Sequence, residues 1–166
     1  MSSTRAIVLG IGNILLSDEG VGVRAVEALR GAYTLPTEVE VIDGGTSAME
    51  LLDKLARCEL LIVVDAVNAG RPPASVVRLS GDEVPLFFRS KLSPRQIGLA
   101  DVLASLALLG EAPRETIIVA VQPVTLSLGM RLSGEIRALL PEVVEQVVAD
   151  LHSHGYRVQE RNALAV

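Results

Sequence analysis

The chain has 166 residues, the length of one ordinary domain that can bury a core without staples. Its hydrophobic share is 49%, yet it holds only 2 Phe and 2 Tyr and no Trp, so the core must be aliphatic. The formal net charge of -5, with Lys and Arg scattered, argues against nucleic acid or an anionic membrane as partner, because both need a basic footprint.

Cys58 is the single cysteine, which excludes an internal disulfide or a cysteine metal cluster and reads as a small buried packing group. The first apolar run, Ala6 to Leu9, is far shorter than a membrane span. A cytoplasmic location follows as the expectation.

Along the chain, apolar runs alternate with helical patterns. Ala6-Ile7-Val8-Leu9 reads as a buried strand stopped by Gly10 and Gly12. Between Gly20 and Tyr33, Val21, Ala25, Ala28 and Leu29 share one helical face. Val39 to Ile42 is a second strand, ending at Asp43-Gly44-Gly45. Ser47-Ala48-Met49-Glu50 matches a capping box, with Leu51, Leu52, Leu55 and Ala56 as the buried face behind it. Asp53 and Arg57 are spaced as an ordinary helical charge pair. Leu60 to Val64 is the most apolar strand, and Asp65 terminates it.

Ser75 to Leu79 reads as a short edge strand after Pro72-Pro73. Asp82 to Leu92, which contains Pro85 and mixes charges with Phe87 and Phe88, reads as a loop. Gly98 to Leu109 is a helix stopped by Gly110, and Thr116 to Val121 is the last buried strand. Ile136 to Leu151 carries the clearest helical pattern, with Pro141 predicting a kink or two short helices. Gly155 ends it, and residues 157–166 are expected to form a loose tail.

Buried strands alternating with amphipathic helices predict an α/β fold. It is expected to be one domain over residues 1–166, with a doubly wound, mainly parallel five-stranded sheet and helices on both faces. Functional groups in such folds gather at the carboxyl ends of strands, around the point where strand order reverses. That brings together the loops Gly10–Glu19, Asp43–Thr46 and Asp65–Gly70, each rich in acid or glycine.

Gly10-Ile11-Gly12 after a first strand invites a dinucleotide reading, but Leu15 stands where the third glycine belongs. Asp18 and Glu19 at the helix start would also repel a pyrophosphate. Asp18 reads better as an N-cap. Glu19 either favours the helix dipole or projects toward the strand ends as a working group. Asp65 closes a run free of polar side chains at the ligand-binding end of the sheet, with capping of the next turn as the plainer alternative. Two carboxylates brought together there would either hold a cation or share a proton. His152 and His154 lie two apart, do not share a helical face, and read as solvated.

The run Gly10-Ile11-Gly12-Asn13-Ile14-Leu15-Leu16-Ser17-Asp18-Glu19-Gly20-Val21-Gly22 resembles the opening signature of the nickel–iron hydrogenase maturation endopeptidases. Asp43-Gly44-Gly45-Thr46, Leu61-Ile62-Val63-Val64-Asp65-Ala66, Asp82-Glu83-Val84-Pro85 and Lys91-Leu92-Ser93-Pro94 extend the resemblance, as does Gln96 to Asp101. It covers nearly the whole chain.

The resemblance implies an endopeptidase that removes a C-terminal extension from the hydrogenase large-subunit precursor after nickel has been inserted. It implies a doubly wound α/β fold and a metal site of a Glu, an Asp and a His, which fall on Glu19, Asp65 and the position of Arg95. Nickel would then be supplied by the precursor, and Gly44, Gly45 and Thr46 would receive the extended tail. A monomer is expected.

The family motif Ser-Pro-His-Gln is Ser93-Pro94-Arg95-Gln96 here, and arginine stays protonated and cannot ligate a cation. Three readings of Arg95 are open: the precursor supplies the missing ligand, Arg95 binds a substrate carboxylate, or the site is damaged. The alternatives to nickel-directed cleavage are a non-catalytic protein that binds the precursor and checks its metal, and a metal-free carboxylate protease.

Overall fold

In the computed structural model, residues 4–45, 48–89 and 94–161 are described. Strand β1 (Ala6–Ile11) runs into a loop and a 3₁₀ turn (Ser17–Gly20), then helix α1 (Val21–Ala32) and a two-residue strand β2 (Tyr33–Thr34). Strand β3 (Val39–Gly45), a 3₁₀ turn (Ala48–Leu51) and one helical turn α2 (Leu52–Leu55) lead to the central strand β4 (Leu60–Ala66). Then follow β5 (Val76–Ser80), α3 (Glu83–Arg89), α4 (Pro94–Leu108), β6 (Glu115–Val121), α5 (Gly134–Ser153) and β7 (Gln159–Glu160).

The five-stranded sheet has the order β3-β1-β4-β6-β5. All neighbours are parallel except β5, which pairs antiparallel with β6 at the edge. This is the doubly wound architecture expected. Strands β1 and β4 are buried at every position, as parallel strands covered on both faces must be.

Alternate residues face opposite cores. Val8, Ile62, Val64, Ile117 and Val119 pack against α1 and α5. Ile7, Leu9, Leu61, Val63 and Ile118 pack under α2, α3 and α4, where Phe87 fills the space that aliphatic residues leave. Cys58 lies in that second core, and burial pushes its thiol up to about 11, as a packing group rather than a reactive one.

Several local expectations change. Residues 83–89 form α3, not a loop: Pro85 sits in its first turn, where no intrahelical donor is lost, and Val84 and Phe87 turn one buried face inward. Helix α5 is a single element through Pro141, held by Val143, Val144, Val147, Val148 and Leu151 buried against the sheet.

Arg57 does not continue a helix to meet Asp53. Its φ of 64° ends the segment, and its guanidinium pairs with Glu111 at 2.9 Å. Residues 157–161 are not loose: Tyr156 and Val158 are buried, β7 pairs with β2, and the Arg161 amide donates to the Ala32 carbonyl at 2.8 Å. Ser47 of the expected capping box and residues 162–166 lie outside the described residues. No described helix is long and apolar enough to cross a membrane.

Candidate active site

Because β1, β3 and β4 are parallel neighbours, their carboxyl ends meet at one edge, and the order reverses between β1 and β4. In register across this row stand Asp43, Gly10 and Val64, with Asp65 one step further along β4. Asp65 is 2% exposed, and one of its carboxylate oxygens accepts from the Ala66 amide at 2.8 Å.

Glu19 approaches from the 3₁₀ turn, which packs on β4 and leaves Glu19 partly exposed. Two glycines set that approach. A Cβ on Gly22 would lie 2.1 Å from the Val64 carbonyl oxygen, and one on Gly10 would lie 2.4 Å from the Gly22 carbonyl oxygen. Only bare backbone lets α1 start this close to the strand that ends in Asp65. The sequence-derived pair therefore comes from two neighbouring elements at the switch point.

The other expected residues fare differently. Gly44 and Gly45 end β3, beside a register shift between Gly10 and Ile11. A Cβ on Gly44 would meet Leu9 Cδ1 at 2.7 Å, so close packing alone already demands glycine there. The backbone of Arg95 lies in the first turn of α4, while its side chain and Thr46 lie outside the described residues. Among the described residues no group of three His, Cys, Asp or Glu is placed to hold a metal.

Both histidines are exposed, as expected, and each is also fastened by hydrogen bonds. His152 Nε2 lies 3.0 Å from the Val158 carbonyl oxygen, and His154 bonds the Asp150 carbonyl at 2.7 Å and the Glu115 carboxylate.

Asp18 is not a helix cap. Neither the 3₁₀ turn nor α1 has a side-chain cap, and Asp18 is fully buried as the anchor of the loop after β6. Its Oδ2 accepts from the amides of Val124 and Thr125, each at 3.0 Å, and from Ser133 Oγ at 2.9 Å. Its Oδ1 accepts from the Ser133 amide at 2.7 Å. Ser17, at a φ of 52°, supplies the sharp reversal that precedes this inward-pointing carboxylate.

The motif reading also passed over Gln122. This half of the anchoring is buried, and its Oε1 accepts from the Ala69 amide at 2.8 Å, tying down the loop that follows Asp65. A polar residue ending the apolar strand β6 was the available signal.

Comparison with known proteins fits this frame. A sequence model of the hydrogenase maturation protease family matches residues 23–150. The chain belongs to that family. It is 44% identical over 161 residues to the hydrogenase 2 maturation protease of Escherichia coli K12, covering 96% of this chain and 98% of that one. A hydrogenase expression/formation protein HupD from Thiocapsa roseopersicina is 39% identical over 96% of this chain and 73% of its own length.

Among solved structures, the hydrogenase maturating endopeptidase HybD of E. coli superposes with a TM-score of 0.92 over 95% of this chain and 98% of its own. The [NiFe] hydrogenase maturation protease HybD of Thermococcus kodakarensis, 27% identical, gives 0.72 over 87% of this chain and 97% of its own. In this chain the buried Asp65 and the Glu19 turn lie together at the carboxyl-end edge of the sheet.

Proposed function

We propose that this chain is a nickel-directed endopeptidase that removes the C-terminal extension of a nickel–iron hydrogenase large-subunit precursor. The observation that carries the reading is Asp65, a carboxylate 2% exposed at the carboxyl end of the central strand, with the Glu19 turn packed against that strand. Carboxylate oxygens at the carboxyl ends of the strands are hard donors, so this edge suits a cationic substrate group.

Two carboxylates supply oxygen donors for part of a coordination shell, and the precursor's own ligands would complete it around the nickel it carries. The metal, on this reading, belongs to the substrate and supplies Lewis acidity near the scissile peptide. Asp65, fixed by its strand and by the Ala66 amide, would set the position of the docked centre. Glu19, on the turn and partly exposed, would face the incoming tail and the attacking water.

The experiment incubates the chain with nickel-loaded and nickel-free precursor and follows tail loss by mass spectrometry. Cleavage of the loaded form alone is expected, with Glu19→Gln and Asp65→Asn each lowering kcat at least a hundredfold, the scale of a lost acid–base group. Cleavage by the double variant at the wild-type rate would refute it.

Arg95, in place of the family's histidine, favours a second reading: a protein that binds the precursor and checks its metal without cutting. That reading expects complex formation without tail loss, and cleavage gained on Arg95→His. If Arg95→His changes neither nickel affinity nor tail loss, the second reading falls.

A further inference from the structure

The loop between β6 and α5 runs Val124-Thr125-Leu126-Ser127-Leu128-Gly129-Met130, an alternation that in a sheet would bury the apolar residues. Here the alternation is inverted. The intervening residues bond inward to the segment before Glu19. The Asp18 amide donates to the Thr125 carbonyl at 3.2 Å, and Ser17 Oγ to the Ser127 carbonyl at 2.7 Å. The Ser17 amide donates to the Gly129 carbonyl at 2.8 Å, and the Gly129 amide to the Leu15 carbonyl at 2.9 Å.

The apolar residues consequently face solvent: Leu126 is 51% exposed, Leu128 85% and Met130 58%. Leu15, on the partner loop, is 51% exposed. Among the described residues, the exposed large hydrophobic side chains outside these two loops are Leu108 and Leu109. A loop with this much internal bonding that still holds leucines in water is preorganised to cover them with something else.

Met130 also lines an open cleft of about 690 Å³ between the loop, α1 and α5, with Ala28, Leu132 and Leu140 as its apolar lining. Arg24, Arg131 and Arg137 stand around it against one acid, Glu27, on a chain whose net charge is -5. Arg24 is engaged, to Glu27 at 3.3 Å and to the Met130 carbonyl at 3.0 Å. The side chains of Arg131 and Arg137 have no ion-pair partner among the described residues.

We infer that the Leu126–Leu128–Met130 row and the adjoining arginine cleft form one docking surface for the folded body of the substrate protein, at a patch where apolar side chains are flanked by carboxylates. The inference rests on the precursor being the substrate, and it adds a second contact remote from the scissile tail. A second copy of this chain fits poorly, because a two-fold contact centred on the cleft would set its arginines against their own copies.

The test measures binding of nickel-loaded large-subunit precursor to the Glu19→Gln chain, with and without Leu126→Ser/Leu128→Ser or Arg131→Glu/Arg137→Glu. All four positions are exposed, so thermal unfolding should be unchanged, which separates docking from folding. The leucine pair should weaken binding at least tenfold. The arginine pair should weaken it and flatten its salt dependence, since surface charges act through screened attraction. In the cleaving chain, the same substitutions should raise KM and leave kcat unaltered.

Binding within twofold of the parent for both pairs overturns the inference. So does a wild-type dimer, seen by light scattering, that the leucine pair dissolves. If Glu19→Gln still cleaves while the leucine pair weakens binding, the docking surface stands and the assignment of Glu19 fails.

Discussion

Removing the Asp18 carboxylate tests the most connected group near the site. Asp18→Ala would strand four donors at once: the amides of Val124, Thr125 and Ser133, and Ser133 Oγ. Each buried donor left unsatisfied costs about 1–3 kcal/mol, and water entering the small cavity recovers part of that, which leaves a net loss of about 4 kcal/mol. For a domain of this size that is a fall in Tm of about 10 °C.

Asp18→Asn should cost about half as much, because its carbonyl can keep the three Oδ2 bonds while its amino group faces the Ser133 amide, donor against donor. Urea and thermal unfolding give the two losses. Hydrogen exchange should show the amides of Val124, Thr125 and Ser133 losing protection ahead of the sheet. If Asp18→Ala lies within about 0.5 kcal/mol of wild type, the level of an ordinary surface substitution, the anchoring argument is wrong.

Gly22→Ala should destabilise by more than about 2 kcal/mol, reversing the gain of up to about 1 kcal/mol expected of glycine to alanine in a helix. Its Cβ would lie 2.1 Å from the Val64 oxygen, whereas Gly31→Ala, with nothing within 4 Å, should be stabilising; denaturant midpoints of the pair decide the matter.

Arg78→Met should cost about 3 kcal/mol by urea unfolding, because it leaves the nearly buried Asp150 carboxylate with Gln146 at 3.3 Å as its remaining side-chain donor among the described residues. Asp150→Asn should cost less, since Arg78 is 39% exposed and can turn to water.

Partial burial works against the charged form of His154, but the Asp150 carbonyl and the Glu115 carboxylate outweigh it and raise its pKa above 6.5. The stabilisation is therefore complete below about 6.5 and lost as pH rises through the raised value. Unfolding midpoints of wild type and His154→Gln should converge across that window, and a gap that widens with pH would contradict the assignment.

The doubly wound sheet was legible in the sequence, because short apolar runs such as Leu60 to Val64, alternating with helical patterns, read as strands buried on both faces. The sequence also places two acids toward the carboxyl ends of the strands: Asp65 closes such a run, and Glu19 stands at the start of the helix that follows the first strand.

Other features needed the tertiary structure. Asp18 looked like a cap because local pattern cannot show that its donors come from a loop more than a hundred residues away. The tail beyond Tyr156 looked loose because the strand it joins lies in β2. The row Val124 to Met130 has the period of a buried strand, and its direction was decided by where Ser17 and Asp18 draw its backbone. Periodicity records which residues share a face; only the packed neighbours decide whether that face meets core or water.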